Sequence, residues 1–355
     1  MYKRRLGNDF LLFKIKRPIF FPAESRLSIL YIIGMIFFWV GFLALVGVML
    51  ALDLCVLNKK DHEIGVGEAL KWTGVWIFLA ILFGVFIFFA YEHHWLGIGV
   101  HAGASLSGVD AFVEYLTGYV LEKSLSLDNI FVMAAIFSYF GIPRLYQHRV
   151  LFWGILGALV LRGVFILGGT ALISRFHFLI YFFGAFLIFT AIKMQFSKTD
   201  GEMDPSKNIA VRFARKLFPV TEERHGHDFF LKKDGKRFAT PLFLSLIVIE
   251  SSDVLFAVDS IPAVFGVTLD PFLVFTSNIM AILGLRSLYF ALAAMLGMFR
   301  FLKNALVVVL AFVGIKMLAA SFVELPSWVS LVVVFSMIGI GILASVLIPE
   351  RKKKA

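Results

Sequence analysis

The chain of 355 residues is 60% hydrophobic, holds 41 phenylalanines and has a mean hydropathy of +0.88, values that no soluble core requires and that place it in a lipid bilayer. A net charge of +10 would fit nucleic acid, but most Lys and Arg residues lie in the connections between apolar segments, as membrane orientation demands, and no nucleic-acid partner is expected. One cysteine, Cys55, excludes an internal disulfide and a thiolate metal site.

Residues 1–27 form a basic arm with Lys3, Arg4, Arg5, Lys14, Lys16, Arg17 and Arg26. The first apolar segment runs about 25 residues and lacks a small-x-small cleavage site, so it is not a cleavable signal. Apolar runs, read against the roughly 20 residues needed to span a bilayer, predict an all-α bundle of about nine transmembrane helices. They lie at residues 28–52, 73–91, 114–140, 150–173, 176–196, 240–264, 271–297, 304–320 and 326–348. The first two are accessory helices within residues 28–112. Asp53 and Glu68 at their ends read as interfacial charges, and His93, His94 and His101 fall in the connection that follows. Residues 197–239 hold ten basic and seven acidic side chains and form a charged cytosolic loop, with His225 and His227 read as solvated. Residues 321–355 supply the last helix and a basic tail ending in Arg351, Lys352, Lys353 and Lys354.

Basic residues set the orientation. With the C-terminus cytosolic, connections on that side carry twenty-one Lys and Arg, against Arg175 alone in the opposite connections. The chain is therefore expected to be a multi-pass protein of the inner membrane. The basic arm, placed outside by nine spans, is the one segment that disagrees.

The five remaining basic residues, Lys123, Arg162, Lys193, Arg286 and Lys316, lie in or at the ends of apolar segments and expose a repeat. Asp128-Asn-Ile-Phe matches Asp253-Val-Leu-Phe, Leu161-Arg162 matches Leu285-Arg286, and Ile192-Lys193-Met194 matches Ile315-Lys316-Met317, at offsets of 125, 124 and 123. The units are residues 113–196 and 240–320. Three helices per unit force the second copy to enter the membrane upside down, so an inverted repeat with a binding site near the midplane is expected.

The chemistry sits in the third and sixth predicted helices, which carry Glu122, Asp128 and Asn129, and Glu250, Asp253 and Asp259, among Ser124, Ser126, Ser251, Ser252 and Ser260. Each carboxylate costs about 2.5 to 3.5 kcal/mol at a helix centre, so five need partners. Carboxylate, hydroxyl and amide oxygens suit a hard divalent cation, whereas zinc and copper sites recruit His or Cys. Pro262 cannot bond the Val258 carbonyl, which makes a break in the sixth helix plausible. The competing reading pairs the acids with Arg162, Arg286 and Lys123 as structural latches. No enzyme is expected: the YD and GxGD settings of an intramembrane aspartyl protease are absent from the spans.

The stretches EKSLSLDN at Glu122 to Asn129 and ESSDVLFAVDSIP at Glu250 to Pro262 resemble the TerC family of membrane proteins, in its Alx-like branch. EYLTGY from Glu114, YFFGAFLIFTAIKM from Tyr181, DPFLVFTSNIMAILGLRSLYF from Asp270 and GIKML from Gly314 agree, so the resemblance covers nearly everything from Trp39 to Leu347. It implies nine helices, a cytosolic central loop and manganese export or protection from metal stress. Glu122, Asp128, Asn129, Glu250, Asp253 and Asp259 would then line the ion path. The basic arm is longer than the family leads one to expect, and Gly84 stands where related sequences often have Asn. The expected activity is secondary transport of Mn²⁺ as substrate, by exchange for protons released from desolvated acids, with no tightly bound cofactor. The alternative is a non-transporting membrane scaffold in a metal-stress complex.

Overall fold

A computed structural model describes residues 26–55, 65–101, 104–196, 228–233, 236–292, 301–323 and 325–348, with short pieces between 211 and 221. The N-terminal arm up to Ser25, Lys59, Lys60, His225, His227 and the basic tail lie outside the described residues.

Among the described residues ten α-helices carry the fold: α1 (Arg26–Cys55), α2 (Val66–Glu92), α3 (Gly108–Tyr139), α4 (Arg144–Arg175), α5 (Leu179–Phe196), α6 (Pro241–Phe265), α7 (Pro271–Leu283), α8 (Leu285–Leu292), α9 (Leu302–Ala319) and α10 (Ser327–Leu347). Seven are long and apolar enough to cross a membrane, and α7 with α8 passes the same test as a pair bent by 42°, the form of a broken span or a re-entrant loop. Helix α3 is too charged for that criterion, with Asp110, Glu114, Glu122, Lys123 and Asp128 on it. Its 32 residues nevertheless reach about 48 Å, against a hydrocarbon thickness near 30 Å. It lies among α2, α6, α7 and α10, which screen its charges from lipid. By length α3 too could cross, although its charges keep it out of the seven.

Local sequence explains where the helices begin. Ser107 caps α3 by accepting from the Asp110 amide at 3.1 Å. Thr240 and Asp270 precede Pro241 and Pro271, which occupy the first turns of α6 and α7 where a missing amide hydrogen costs nothing. Asp270 accepts from the Phe272 and Leu273 amides at 2.9 and 3.2 Å. Three helices start earlier than their apolar runs: α3 at Gly108, behind the Ser107 cap, and α2 at Val66 and α4 at Arg144, which have no side-chain cap.

Two expectations are corrected. The seventh predicted helix, residues 271–297, is broken at Gly284, where α7 ends and α8 begins, and residues 293–300 lie outside the described region. Conversely, α6 runs through Pro262 without interruption to Phe265, so the break belongs to the α7/α8 pair. The Lys123 ammonium reaches across from α3 to donate to the Ala281 carbonyl at 3.0 Å, covering an acceptor the broken helix exposes.

Packing is reciprocal between the two halves. Helix α3 lies against α7 and α4 against α6, while α5 crosses α9 and α3 touches α6 directly. At the α5/α9 crossing a Cβ on Gly314 would stand 2.8 Å from the Gly184 carbonyl oxygen, so glycine is what lets the helices meet. Gly84 serves α2 in the same way: a Cβ there would lie 3.0 Å from the Phe112 ring and 3.1 Å from the Tyr115 ring, leaving no room for a larger side chain. Large apolar side chains such as Phe37, Phe78, Val164, Phe189 and Leu255 are exposed, as a bilayer-facing surface requires. Within the charged loop an antiparallel hairpin, β1 (Phe230–Lys233) and β2 (Lys236–Ala239), stands just before α6, and Arg149 of α4 sits 5.0 Å over the Phe229 ring beside it. A shorter pair, Val100–His101 with Ala104–Ser105, lies between α2 and α3.

Candidate ion site in the helix core

Three helices bring an ionic cluster to the middle of the bundle. Asp253 is the midpoint of the 25-residue α6, and Glu122 and Arg162 fall close to the midpoints of α3 and α4, each of 32 residues. Arg162 is buried and every guanidinium nitrogen is engaged. Its Nη2 donates to Asp253 Oδ1 at 2.9 Å and its Nε to Asp253 Oδ2 at 3.3 Å. Its Nη1 donates to Glu122 Oε1 and, at 3.4 Å, to Ser260 Oγ. Asn129 Nδ2 approaches Asp253 Oδ1 at 3.4 Å, and the Ser126 hydroxyl donates to Glu122 Oε1 at 3.2 Å.

The balance of charge and hydrogen bonds is uneven. One guanidinium faces two carboxylates, and Glu250, one turn before Asp253 on α6, adds a third to which no base among the described residues is bonded. Glu250 lies against Gly157 of α4, where any side chain would collide with its carboxylate. Glu122 Oε2, Asn129 Oδ1 and Glu250 Oε2 are buried oxygens without a hydrogen-bond partner. Orphaned buried acceptors are costly unless a donor, a proton or a cation meets them. A narrow cleft between α3 and α6, lined by Asn129, Val132, Met133, Ile249, Ser252 and Asp253, adjoins the cluster.

The six residues expected to line an ion path divide into three places. Glu122, Asn129 and Asp253 meet around Arg162, with Glu250 a turn away. The side chain from α3 that reaches Asp253 is Asn129, not Asp128; Asp128 lies instead in the field of the Lys303 ammonium of α9. Asp259 accepts from the Thr190 hydroxyl of α5 at 3.1 Å and lies in the field of Lys193. Among the described residues no three His, Cys, Asp or Glu side chains converge as a ready-made metal centre.

Asp53 was misjudged from sequence. It is buried, and its carboxylate accepts from Arg286 Nη2 at 2.5 Å, tying α1 to α8. A carboxylate at the end of an apolar run looks interfacial, and only the position of Arg286, on a helix 233 residues away in sequence, shows otherwise. The two arginines matched by the repeat thus have different partners: Arg162 joins α4 to α3 and α6, and Arg286 joins α8 to α1.

Long apolar helices around a central charged helix, with ionised groups meeting at mid-helix, define a polytopic α-helical integral membrane protein. Residues 107–353 match the integral membrane protein TerC family. The chain belongs to that family. It is 48% identical over 309 residues to an uncharacterised membrane protein of Myxococcus xanthus, STKORF319, covering 87% of this chain and 92% of that one. It is 44% identical over 307 residues to Alx of Escherichia coli (strain K12), whose name proposes a membrane-bound redox modulator, covering 86% and 93% of the two chains. An uncharacterised membrane protein of Rickettsia bellii is 38% identical over 309 residues, 87% of this chain and 97% of its own. No solved structure matches the chain.

Proposed function

We propose that this protein is a secondary transporter that exports a hard divalent cation, Mn²⁺, across the inner membrane in exchange for protons, with its C-terminus in the cytosol. The observation that carries the reading is the mid-helix cluster in which Arg162 faces Glu122 and Asp253 while three neighbouring acceptor oxygens have no partner. Surplus negative charge far from water favours a cation, and an oxygen-only donor set favours a hard one. Glu122, Asn129 and Asp253 form the central station. Glu250 adds a fourth oxygen ligand or a proton carrier. Asp128 and Asp259 give carboxylates on the same two helices, further along the route.

Alternating access at such a station suits an inverted repeat of residues 113–196 and 240–320. The reciprocal packing of α3 on α7 and α4 on α6 supports that arrangement. The twenty-one to one bias of basic residues supports the orientation. The redox role in the name of the Escherichia coli relative does not carry over as dithiol chemistry, because this sequence holds a single cysteine.

The scaffold reading draws on the same guanidinium, since Arg162 already pairs with two of the acids a metal would need. Manganese accumulation in cells separates the two. Cells making the wild-type protein should hold less Mn²⁺ under manganese load than cells making D253N at equal membrane abundance. Equal accumulation would support the scaffold.

A further inference from the structure

The central station contains its own cation. A divalent ion cannot share Glu122 and Asp253 with a guanidinium that already bonds both carboxylates, because like charges at contact distance in a buried site repel strongly. Arg162 must therefore leave for the ion to enter, and a buried guanidinium needs another anion to go to.

The structure offers one. Glu250 lies one helical turn from Asp253 on α6, and α4 and α6 run side by side. Its carboxylate rests on Gly157 of α4, five positions before Arg162, and its Oε2 is buried without a partner. Helical side chains lean toward the N-terminus of their helix, so Arg162 already leans toward the level of Gly157 and Glu250. Glycine at 157 keeps that space open for the carboxylate.

We propose that Arg162 is a tethered cation with two stations: Glu122 and Asp253 when the carrier is empty, Glu250 when a divalent cation occupies Glu122, Asn129 and Asp253. In the empty carrier the guanidinium offsets half of the Glu122 and Asp253 charge, and its return from Glu250 drives release of the ion. This rests on the transport reading for the ion's identity, and it gives Glu250 a positioning role in place of a ligand role.

The test uses the full-length protein in lipid nanodiscs, with MnCl2 titrated directly and ⁵⁴Mn²⁺ flux measured in proteoliposomes. R162Q removes the competitor, so the Kd for Mn²⁺ should fall at least tenfold while flux falls at least tenfold, because release loses its driving partner. E250Q removes the second station and should weaken Mn²⁺ binding at least tenfold in the wild-type background, yet by less than about threefold in R162Q, since Glu250 acts only through the arginine. If R162Q does not yield monodisperse protein, the charge-balanced R162Q/E122Q should bind more tightly than E122Q. Unchanged or weaker binding in R162Q, or a tenfold loss on adding E250Q to it, would overturn the proposal. Wild-type protein that binds Mn²⁺ without flux, with R162Q still binding more tightly, would sink transport and leave the tethered cation standing.

Discussion

Asp253 decides the site at the scale of single residues. Its carboxylate takes two hydrogen bonds from Arg162 and lies at the midpoint of α6. D253N removes half of the charge that Arg162 faces while leaving Glu122 in place, so the expected loss of stability is below the roughly 3 to 5 kcal/mol of a fully orphaned buried charge. Mn²⁺ export should vanish. D253N/R162Q should recover membrane abundance without recovering export, measured by immunoblot and by growth in manganese; recovery of both would make Asp253 a structural partner only. Gly157 gives a second prediction. G157A places a methyl group inside the Glu250 carboxylate, which must move, at a cost of about 1 to 3 kcal/mol in thermal unfolding and with loss of export. The acidic residues of this site were legible in the sequence because carboxylates in long apolar runs stand out. Their partners were not: the choice of Asn129 over Asp128 is a matter of which side of α3 faces α6, and neighbouring residues on a helix differ by about 100°.

Among the elements, α1 and the α7/α8 pair have the most to tell. Sequence hydropathy found the seven apolar spans because the membrane imposes a minimum length on apolar runs. The missing amide hydrogen of Pro262 suggested a break there, but the proline lies in the last turn of α6, near its end, where one lost hydrogen bond is tolerated. Gly284 marks the actual break, and its neighbours Lys123 and Trp76 leave no space for a side chain. The latch between α1 and α8 depends on Asp53 and Arg286. D53N removes one charged partner of the buried Arg286 guanidinium and should lower the unfolding free energy, by less than the roughly 3 to 5 kcal/mol of a fully orphaned buried charge, whereas D53N/R286M should regain most of the loss. A double variant as unstable as D53N would show that packing, not the ion pair, holds α1. At the α5/α9 crossing, G314V should cost about 1 to 3 kcal/mol, since its side chain would press on the Gly184 carbonyl and Ile188. An unaltered melting temperature would contradict that close approach.

At the scale of the whole molecule, composition alone indicated a membrane protein, and the bias of basic residues supports the proposed orientation. Internal sequence similarity suggested two three-helix units; the reciprocal packing of α3 with α7 and α4 with α6 is a relation between distant segments that no local pattern reports. The central claim is that this bundle moves Mn²⁺ through a mid-helix acidic station. ⁵⁴Mn²⁺ flux into proteoliposomes of purified protein, with a pH gradient imposed in each direction, tests it most directly. Flux is expected to follow the outward proton gradient, to reverse with it, and to drop to the rate of protein-free vesicles in D253N. Wild-type vesicles that take up Mn²⁺ no faster than empty ones, under either gradient, would contradict the account.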